Sequence, residues 1–502
     1  MRSSLFLAAT FILPGCGTSE GVFSDRTPQA GTGGEGPSGE GGSGSGGSGK
    51  AGSGSGKSPG SGPPTQLAAG PASMVGVTSD GWAVFRDADA LRAVKIGARP
   101  EVEEITRRPG SVLIRGKVVF NWADVDWTSN VGDLSVWTAE AGTHEIGETP
   151  YAEGLIAASE QGVAIAYTAN TGDETTDLML AGSDLSSPQV IIESMGLGSE
   201  ETCGATIGFV GERLFVGWCE VGSRAGRLER FERIAEEWRP TLLADDSLPA
   251  WSADATGERV FYQSSEYSAY YAENGASLLI DAGVGRGLVL PDGSAVLYTV
   301  GDQLRRTTLP DVNPIPVVTR GYAQPIEFSP GFDHALYSTI VTYDEGTRRD
   351  LRLVPTDAFD AAPLELVTEP VAVLPRSSMT RDGRFVLYLT DVTPSGASLH
   401  VVEVDGTERL VLPNVVEVVA AYDSTIVFTD NSSDPDQYPL VADLKVIDVA
   451  TNADPVLLEA KIVEGRRFEF DTTGERVVYV RSGVDRDPSE AEHDGLFFQR
   501  LR

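Results

Sequence analysis

One short phrase recurs along the chain and constrains its fold more than any other feature. Residues 380–388 read TRDGRFVLY, and variants stand at residues 78–85 (TSDGWAVF), 290–298 (LPDGSAVLY) and 471–479 (DTTGERVVY). In each copy a polar stretch with Gly, in three of them next to Asp, leads into an apolar run. Asp bonds to nearby backbone and Gly tolerates a positive φ, so the phrase predicts a tight turn between two strands.

The phrase opens a longer unit that repeats throughout the chain after residue 68. Successive units begin 35 to 51 residues apart, and a repeat of about 44 residues has the size of one propeller blade. Their turns are centred at ten positions: Gly81, Gly116, Gly162, Gly211, Gly257, Gly293, Phe332, Gly383, Ser424 and Gly474.

The remainder of each unit predicts a hairpin. The clearest copies, at residues 133–148, 177–194, 398–413 and 443–459, consist of an alternating segment, a turn and a short apolar run. Such alternation is typical of strands that bury one face or both. Each unit therefore contributes three or four strands, and no unit can bury both of its faces alone.

These units resemble the propeller repeats of TolB-type periplasmic proteins and of the propeller domains attached to prolyl oligopeptidase-like enzymes. The resemblance covers roughly residues 70 to 502 and implies an all-β propeller of about 8 to 10 three- to four-stranded units. Typical propellers have four to eight blades. Ten units leave open degenerate copies, one large ring or two smaller rings, and we favour one ring.

The oligopeptidase-like enzymes place a hydrolase domain beside the propeller, and we expect none here because the repeats run to Arg502. One charged segment, residues 225–238 (AGRLERFERIAEEW), fits a helix or a hairpin equally well. The sequence leaves that choice open.

The first residues predict export. Arg2 precedes an apolar run from Leu5 to Leu13, which is too short to span a bilayer but suits a signal peptide. Leu13, Pro14, Gly15 and Cys16 resemble the lipobox of bacterial lipoproteins. The resemblance implies a signal peptide over residues 1–15 and a lipidated Cys16; a plain secretory signal with an unmodified cysteine is the alternative.

The family also implies a destination. In many Gram-negative bacteria an Asp after the lipidated cysteine retains a lipoprotein in the inner membrane, and here that residue is Gly17. We therefore expect an outer-membrane lipoprotein, attached to the membrane through the lipid on Cys16.

A Gly/Ser-rich stretch separates this terminus from the repeats. Residues 31–64 contain no aliphatic or aromatic side chain larger than Ala51, so they cannot form a packed core. We interpret residues 16–66 as the lipidated cysteine and a disordered linker, and residues 67–502 as the propeller domain.

The two remaining cysteines lie on either side of one predicted hairpin, in TCGATIGFVGERLFVGWCE. A three-residue loop at 210–212 would place Cys203 opposite Cys219, where disulfide geometry is possible. We predict a disulfide, with two small buried thiols as the alternative.

Charge limits the partners. The chain carries 39 basic and 73 acidic residues, a net charge of −34, and lacks the basic surface that nucleic-acid binding requires. We expect no nucleic-acid partner; the acidic surface keeps an exported protein soluble or attracts a basic partner or divalent cations. A monomer is expected.

Metal and catalytic signals are weak. The loop 430–436 (DNSSDPD) offers Asp430, Asp434 and Asp436 as weak calcium candidates, but Pro435 stands where an EF-hand-like loop needs Gly. A second acidic loop, residues 485–494, is the other candidate, and a solvated acidic loop is the alternative for both. The four histidines (His144, His334, His400 and His493) lie in different units without metal-ligand spacing and are interpreted as surface or packing residues. We expect no cofactor and nominate no catalytic residue.

Two functions remain compatible with the sequence. The first is a non-catalytic envelope lipoprotein whose propeller is a scaffold that binds a protein or a glycan. The alternative is a glycan-active propeller enzyme that uses a pair of carboxylates at the channel mouth as acid and base.

Overall fold

The structure, a computed structural model, describes most of the chain after the linker. It covers residues 64–501 apart from gaps at 71, 88, 98–99, 152–154, 160, 163, 171–174, 186–187, 197–204, 220–225, 235–236, 319–323, 344–345, 359–361, 368–378, 394–395, 431–440, 452–453, 464–468, 471–473 and 482–494. The regular elements of this part are 38 β-strands.

The strands of the first half follow one another in groups of four after a single leading strand. In chain order they are β1 (Thr65–Ala69); β2 (Ser73–Val77), β3 (Trp82–Arg86), β4 (Leu91–Lys95), β5 (Val102–Thr106); β6 (Ser111–Arg115), β7 (Val118–Asp126), β8 (Val131–Thr138), β9 (Gly142–Pro150); β10 (Ile156–Ala158), β11 (Ala164–Asn170), β12 (Thr175–Gly182), β13 (Gln189–Gly196); β14 (Thr206–Val210), β15 (Arg213–Trp218), β16 (Gly226–Ile234), β17 (Glu237–Ser247); β18 (Trp251–Ala253), β19 (Arg259–Gln263), β20 (Ala269–Glu273) and β21 (Ala276–Asp281).

The second half continues in the same way. Its strands are β22 (Val284–Val289), β23 (Ala295–Val300), β24 (Gln303–Thr308), β25 (Asn313–Val318); β26 (Gln324–Phe328), β27 (His334–Tyr343), β28 (Gly346–Pro355), β29 (Leu364–Val367); β30 (Phe385–Thr393), β31 (Gly396–Glu403), β32 (Glu408–Tyr422), β33 (Thr425–Asp430), β34 (Val441–Asp448), β35 (Val456–Val463); β36 (Glu469–Phe470), β37 (Arg476–Arg481) and β38 (Gly495–Arg500).

These strands form nine antiparallel sheets, eight of four strands and one of six. Blades 1 to 7 are the sheets β2–β5, β6–β9, β10–β13, β14–β17, β18–β21, β22–β25 and β26–β29, each paired in sequence order. The short-strand, antiparallel, repeated pattern is that of a β-propeller.

The six-stranded sheet contains two blades joined by one long strand. The first part of β32 pairs with β31, the second part pairs with β33, and the two parts meet at Val415. A bridge from Met379 to Val386 adds a first strand position ahead of β30. Leu387 of β30 and Phe428 of β33 belong to one core, so the two halves pack face to face. They are blades 8 and 9.

The tenth blade joins the two ends of the described chain. Its strands β36, β37 and β38 come from the end, and its fourth strand is β1, which pairs antiparallel with β38. Thr65 lies opposite Phe498 and Ala69 opposite Gly495. This strand exchange closes the array of blades on itself.

Every blade shares a hydrophobic core with the next one, and the last shares a core with the first. The ten cores follow the chain order, from the core between blades 1 and 2 to the core between blades 10 and 1. The ten blades lie within the predicted range of about 8 to 10 units and form the favoured single ring, since two separate rings would interrupt this succession.

The recurring phrase forms the turn between the first and second strands of each blade. In blade 8 Gly383 has φ +70°, and the backbone N–H of Arg384 donates to the Asp382 carboxylate at 3.1 Å. Thr380 adds what the sequence did not indicate: its buried hydroxyl accepts from the N–H of Phe385 at 3.1 Å and donates to Asp382 at 2.6 Å. The predicted turn is confirmed.

Two turns dispense with glycine at the positive-φ position. Phe332 (φ +55°) serves in blade 7, and Asp423 (φ +50°) serves in blade 9, one residue before the predicted Ser424. The remaining predicted glycines have positive φ as well. The repeated turn thus depends on backbone conformation more than on the identity of one residue.

Two local expectations are decided by the strand pairing. Of residues 225–238, those that the structure describes belong to β16 (226–234) and to the start of β17 (237–238), so the hairpin is right and the helix is wrong. The three-residue loop at 210–212 is also wrong: Val210 lies opposite Arg213, and a two-residue turn joins them. The register of β14 and β15 therefore differs by one residue from the expected one, while Cys203 lies outside the described residues.

Candidate functional site

A buried tyrosine on the second strand links several blades to the blade before. Six such residues belong to the core shared with the preceding blade: Tyr167, Tyr262, Tyr298, Tyr337, Tyr388 and Tyr479. Burial is the first cause that raises the pKa of Tyr298 and of Tyr388. These tyrosines end the recurring phrase, which explains why so many copies end in Tyr.

At the interface between blades 7 and 8 this tyrosine borders a cleft. The cleft has a volume of about 430 Å³ and lies between β29 and the strands β30, β31 and β32. Ligand sites of proteins commonly have volumes of about 300–1,000 Å³. The lining residues are Glu365, Leu366, Val367, Tyr388, Thr390, Asp391, His400 and Glu408.

Strand pairing places the polar groups of the cleft together. Tyr388 and His400 are directly opposed on β30 and β31, and Thr390 lies two residues beyond Tyr388 on the same face. The Tyr388 and His400 rings stack with centroids 4.9 Å apart and planes 2° apart. Glu408, at the start of β32, completes the group.

The imidazole bridges a hydroxyl and a carboxylate. His400 Nε2 lies 2.8 Å from Thr390 Oγ1, and His400 Nδ1 lies 3.3 Å from Glu408 Oε2. Such a hydroxyl, imidazole and carboxylate series can move a proton away from the hydroxyl. Thr390 Oγ1 also lies 3.4 Å from Asp391 Oδ2, and that carboxylate would repel a negative charge developing on a substrate.

The cleft is acidic. Three of its eight lining residues are carboxylates, and none is Lys or Arg. Glu365 is paired with Arg352 outside the lining at 3.0 Å, whereas Asp391 and Glu408 have no arginine or lysine partner within the cleft. The side chain of Glu408 is 57% exposed. This arrangement suits a cationic group better than an anionic one.

Of the three weak calcium candidates, the structure describes only Asp430. Asp430 lies at the end of β33 and accepts from Lys445 Nζ at 2.7 Å. Asp434 and Asp436 lie outside the described residues. Within the part of the chain that the structure covers, no group of three acidic, His or Cys side chains is arranged to hold a metal ion.

The cysteine sites are only partly covered. Cys219 is buried after β15, while Cys203 and Cys16 fall outside the described ranges. Both the disulfide and the lipidation stay predictions. In the described ranges no helix is long and apolar enough to cross a bilayer.

The sequence interpretation missed the cleft because it treated His400 as a surface or packing residue. One signal was present: in two other units an arginine, Arg305 or Arg352, pairs with the blade tyrosine, and here a histidine stands at that position. The other histidines do not join it. His144 lies on β9, His334 lies 3.4 Å from Asp333, and His493 is outside the described residues.

Comparisons with known proteins give fold-level likeness alone. No protein-family model and no curated protein matches the chain. Among solved structures, a eukaryotic initiation factor is 13% identical, with 70% of this chain and 90% of that chain covered and a TM-score of 0.46. Dipeptidyl peptidase 4 from Porphyromonas gingivalis is 9% identical, with 85% and 66% covered and a TM-score of 0.43.

TolB from Acinetobacter baumannii is 12% identical over 55% of this chain and 75% of that chain, with a TM-score of 0.28. Identities and scores this low carry no conclusion about activity, substrate or partner. The fold assignment stands on the strand pairing and the ten shared cores.

Proposed function

We propose that this protein is a non-catalytic envelope lipoprotein whose propeller is a binding scaffold, and that the cleft between blades 7 and 8 holds a cationic side chain of a partner protein. The observation that carries the proposal is the lining itself, three carboxylates with no Lys or Arg. A lysine ammonium or arginine guanidinium would find carboxylate acceptors in the cleft that Tyr388 and His400 also line.

The energetic expectation is modest binding through charge. An exposed ion pair contributes about 0.2–1 kcal/mol, so several must act together or be shielded from solvent. Asp391 and Glu408 supply two such acceptors, and the net charge of −34 steers cationic partners toward the surface. We expect the protein to act as a monomer and not to bind nucleic acid.

Titration calorimetry of the purified chain with a hexalysine peptide tests this proposal. Asp391→Asn and Glu408→Gln should each weaken binding about three- to tenfold, while Glu237→Gln, a 73% exposed carboxylate elsewhere, should change it much less. Equal effects of all three variants would show that only net charge matters, and the cleft assignment would be wrong.

A hydrolytic enzyme is the second candidate, and the Thr390–His400–Glu408 series is the observation that favours it. We expect the chain to be inert toward ester, peptide and glycoside substrates, since the Asp391 carboxylate opposes an oxyanion at this position. Turnover that disappears in both Thr390→Ala and His400→Ala would replace the scaffold proposal with this one.

The cellular part of the proposal is export and lipid attachment at Cys16. Two or three acyl chains bury enough CH₂ groups, at about 0.8 kcal/mol each, for stable anchoring. Metabolic labelling with a fatty acid should mark the wild type and not Cys16→Ser. A wild type that takes up no label and is recovered free in the medium would contradict the anchor.

An oxidising compartment is part of the same proposal, because the predicted Cys203–Cys219 disulfide needs one. Mass spectrometry of the non-reduced protein should find the two cysteine peptides linked. Two alkylated thiols in protein purified from the cell envelope would exclude the pairing.

A further inference from the structure

The hairpin between β7 and β8 presents a tryptophan to solvent. Trp127 follows the last residue of β7, and 70% of its surface is exposed. Among the large apolar side chains of the described residues Trp127 is the most exposed, and an exposed indole offers a large apolar area to a ligand. Trp127 is therefore a candidate binding residue.

The tip that carries Trp127 is held in one conformation. The Asp126 carboxylate accepts from the Thr128 N–H at 2.9 Å and from the Ser129 hydroxyl at 3.0 Å. Asn130, at φ +55°, donates from its side-chain amide to the Tyr151 carbonyl at 2.8 Å, and the Tyr151 N–H donates back to the Asn130 carbonyl at 2.7 Å. Because these hydrogen bonds fix the backbone of the tip, binding at the indole would cost little conformational entropy of this loop.

Aromatic contacts connect the exposed ring to the core. Trp127 meets Tyr151 edge to face with centroids 5.4 Å apart, and Tyr151 meets Trp122 in the same way at 5.4 Å. Trp122 is buried and donates from Nε1 to the Thr149 hydroxyl at 3.0 Å. Tyr151 thus supports the indole from one side and leaves most of its surface open.

The surroundings of the indole are polar. Blade 2, which the structure describes without a gap, exposes no other large apolar side chain. Near the tip, Arg108 bonds to the carboxylates of Asp124 and Asp133, which raises its pKa, and the Asp126 carboxylate has its pKa lowered by the Thr128 N–H. The core of a protein interface needs a contiguous apolar area, which this surface lacks.

We propose that the indole of Trp127, supported edge to face by Tyr151, is a platform for a pyranose ring of a neutral glycan. The axial C–H groups of a pyranose carry partial positive charge, and the face of an aromatic ring is negative. The hydroxyl groups at the ring edge need hydrogen-bond donors and acceptors beside the indole, and tip residues 126 and 128–130 carry such polar groups. The carboxylates outnumber the one arginine, so an anionic glycan is disfavoured.

The test uses cellohexaose and chitohexaose as probes, with the purified full chain, titration calorimetry and intrinsic tryptophan fluorescence. At least one hexasaccharide should bind, and Trp127→Ala should weaken binding at least tenfold. Trp127→Phe should retain part of it, because a smaller aromatic face remains. Tyr267→Ala, which removes a 60% exposed aromatic side chain from another turn, should leave binding unchanged.

Binding of neither hexasaccharide would overturn the platform, as would equal binding by wild type and Trp127→Ala. A tryptophan-dependent affinity for the hexalysine peptide in place of the sugars would also contradict it. Glu408→Gln should not affect sugar binding, so the outcome is independent of the cleft between blades 7 and 8.

Discussion

Two blade interfaces built on the same plan end in different chemistry. Between blades 5 and 6, Tyr298 donates to Asp281 at 3.2 Å, and Arg305 donates to the same carboxylate at 2.6 Å. Between blades 7 and 8, the Tyr388 hydroxyl reaches only the Leu366 carbonyl, at 3.4 Å, and a cleft opens beside it. The first interface is closed by a hydrogen-bonded ion pair, and the second is open.

Strand register identifies the two substitutions that separate them. Asp281 lies opposite Ala269 just after a bulge, and Val367 lies opposite Leu351 just after the equivalent bulge. On the following blade, Arg305 pairs with Tyr298 where His400 pairs with Tyr388. One interface therefore has a carboxylate and a guanidinium where the other has a valine and an imidazole.

The comparison shows how a repeat protein can acquire a site without changing its backbone plan. Between blades 5 and 6, the half-buried pair of Asp281 and Arg305 accepts the hydrogen bond of the Tyr298 hydroxyl and fills the space between the blades. The shorter imidazole and the apolar valine leave that space open, and Glu408 and Asp391 line it. At equivalent positions of the ring, one interface thus has an ion pair and the other an open cleft.

The largest expected effect is the loss of the ion pair between blades 5 and 6. Asp281→Ala leaves Arg305 and Tyr298 without their shared acceptor, and the side chains of the pair are only 22% and 28% exposed. We expect the free energy of unfolding to fall by about 2 kcal/mol. Chemical denaturation of this variant beside Asp391→Ala, with less than about 0.5 kcal/mol expected for the latter, checks the contrast. Similar losses in both would undo it.

The second prediction transfers the closed arrangement to blades 7 and 8. The double variant Val367→Asp with His400→Arg should install the missing pair beside Tyr388, close the cleft and abolish hexalysine binding. Stability should rise by about 1 kcal/mol, less than the first effect because the site did not evolve around the pair. Each single variant should be less stable than the double. Additive effects of the two changes would show that no pair forms.

The third prediction concerns alkaline pH. The pKa of Tyr298 is raised by burial and then by Asp281, so the unfolded chain loses this proton near pH 10 while the folded chain keeps it. The contribution of Tyr298 to the free energy of unfolding is complete below about pH 10. Above that pH it declines by at most about 1.4 kcal/mol per pH unit. Tyr298→Phe should therefore lose less stability than the wild type between about pH 9 and pH 11.

Two outcomes bear on that prediction. Tyr267→Phe, at a 60% exposed position, should follow the wild-type pH profile. A Tyr298→Phe profile that also follows the wild type would mean that the buried hydroxyl does not keep its proton.

The smallest effect is expected at the cleft. Glu408→Gln removes a 57% exposed carboxylate from its contact with His400, and the free energy of unfolding should change by less than about 0.5 kcal/mol. Thermal denaturation checks this, with the hexalysine titration as the second readout. A large loss of stability without a change in binding would make Glu408 a structural residue.

The architecture could be predicted from sequence because each blade repeats its turn. The apolar alternation marks the same turn ten times, with glycine at eight of the turns, and every copy reinforces the others. Register could not be predicted so well. Around Phe209 and Val210 the strand residues are partly or fully buried on both faces, so alternation does not fix the pairing to one residue.

The cleft could not be predicted for a related reason. Its walls come from β29 and β30–β32, and the side chains meet only when both the register within blade 8 and the packing on blade 7 are known. The exposure of Trp127 could not be predicted either, because one tryptophan in a turn looks the same in sequence whether it is buried or exposed. The sequence pattern predicts the repeated blade, whereas the cleft and the exposed tryptophan depend on residues that differ from one unit to the next.

The pairing of β1 with β38 has a consequence for biosynthesis. Thr65 leaves the ribosome long before its partner Phe498 is made. At about 5–20 residues per second, the interval is on the order of a minute. Throughout that time β1 has no partner strand and blade 10 is missing, so the nascent chain exposes an open edge that invites pairing with other chains. Factors that hold the nascent chain apart from other chains should matter more for this ring than for an array whose strands all pair with neighbours in sequence.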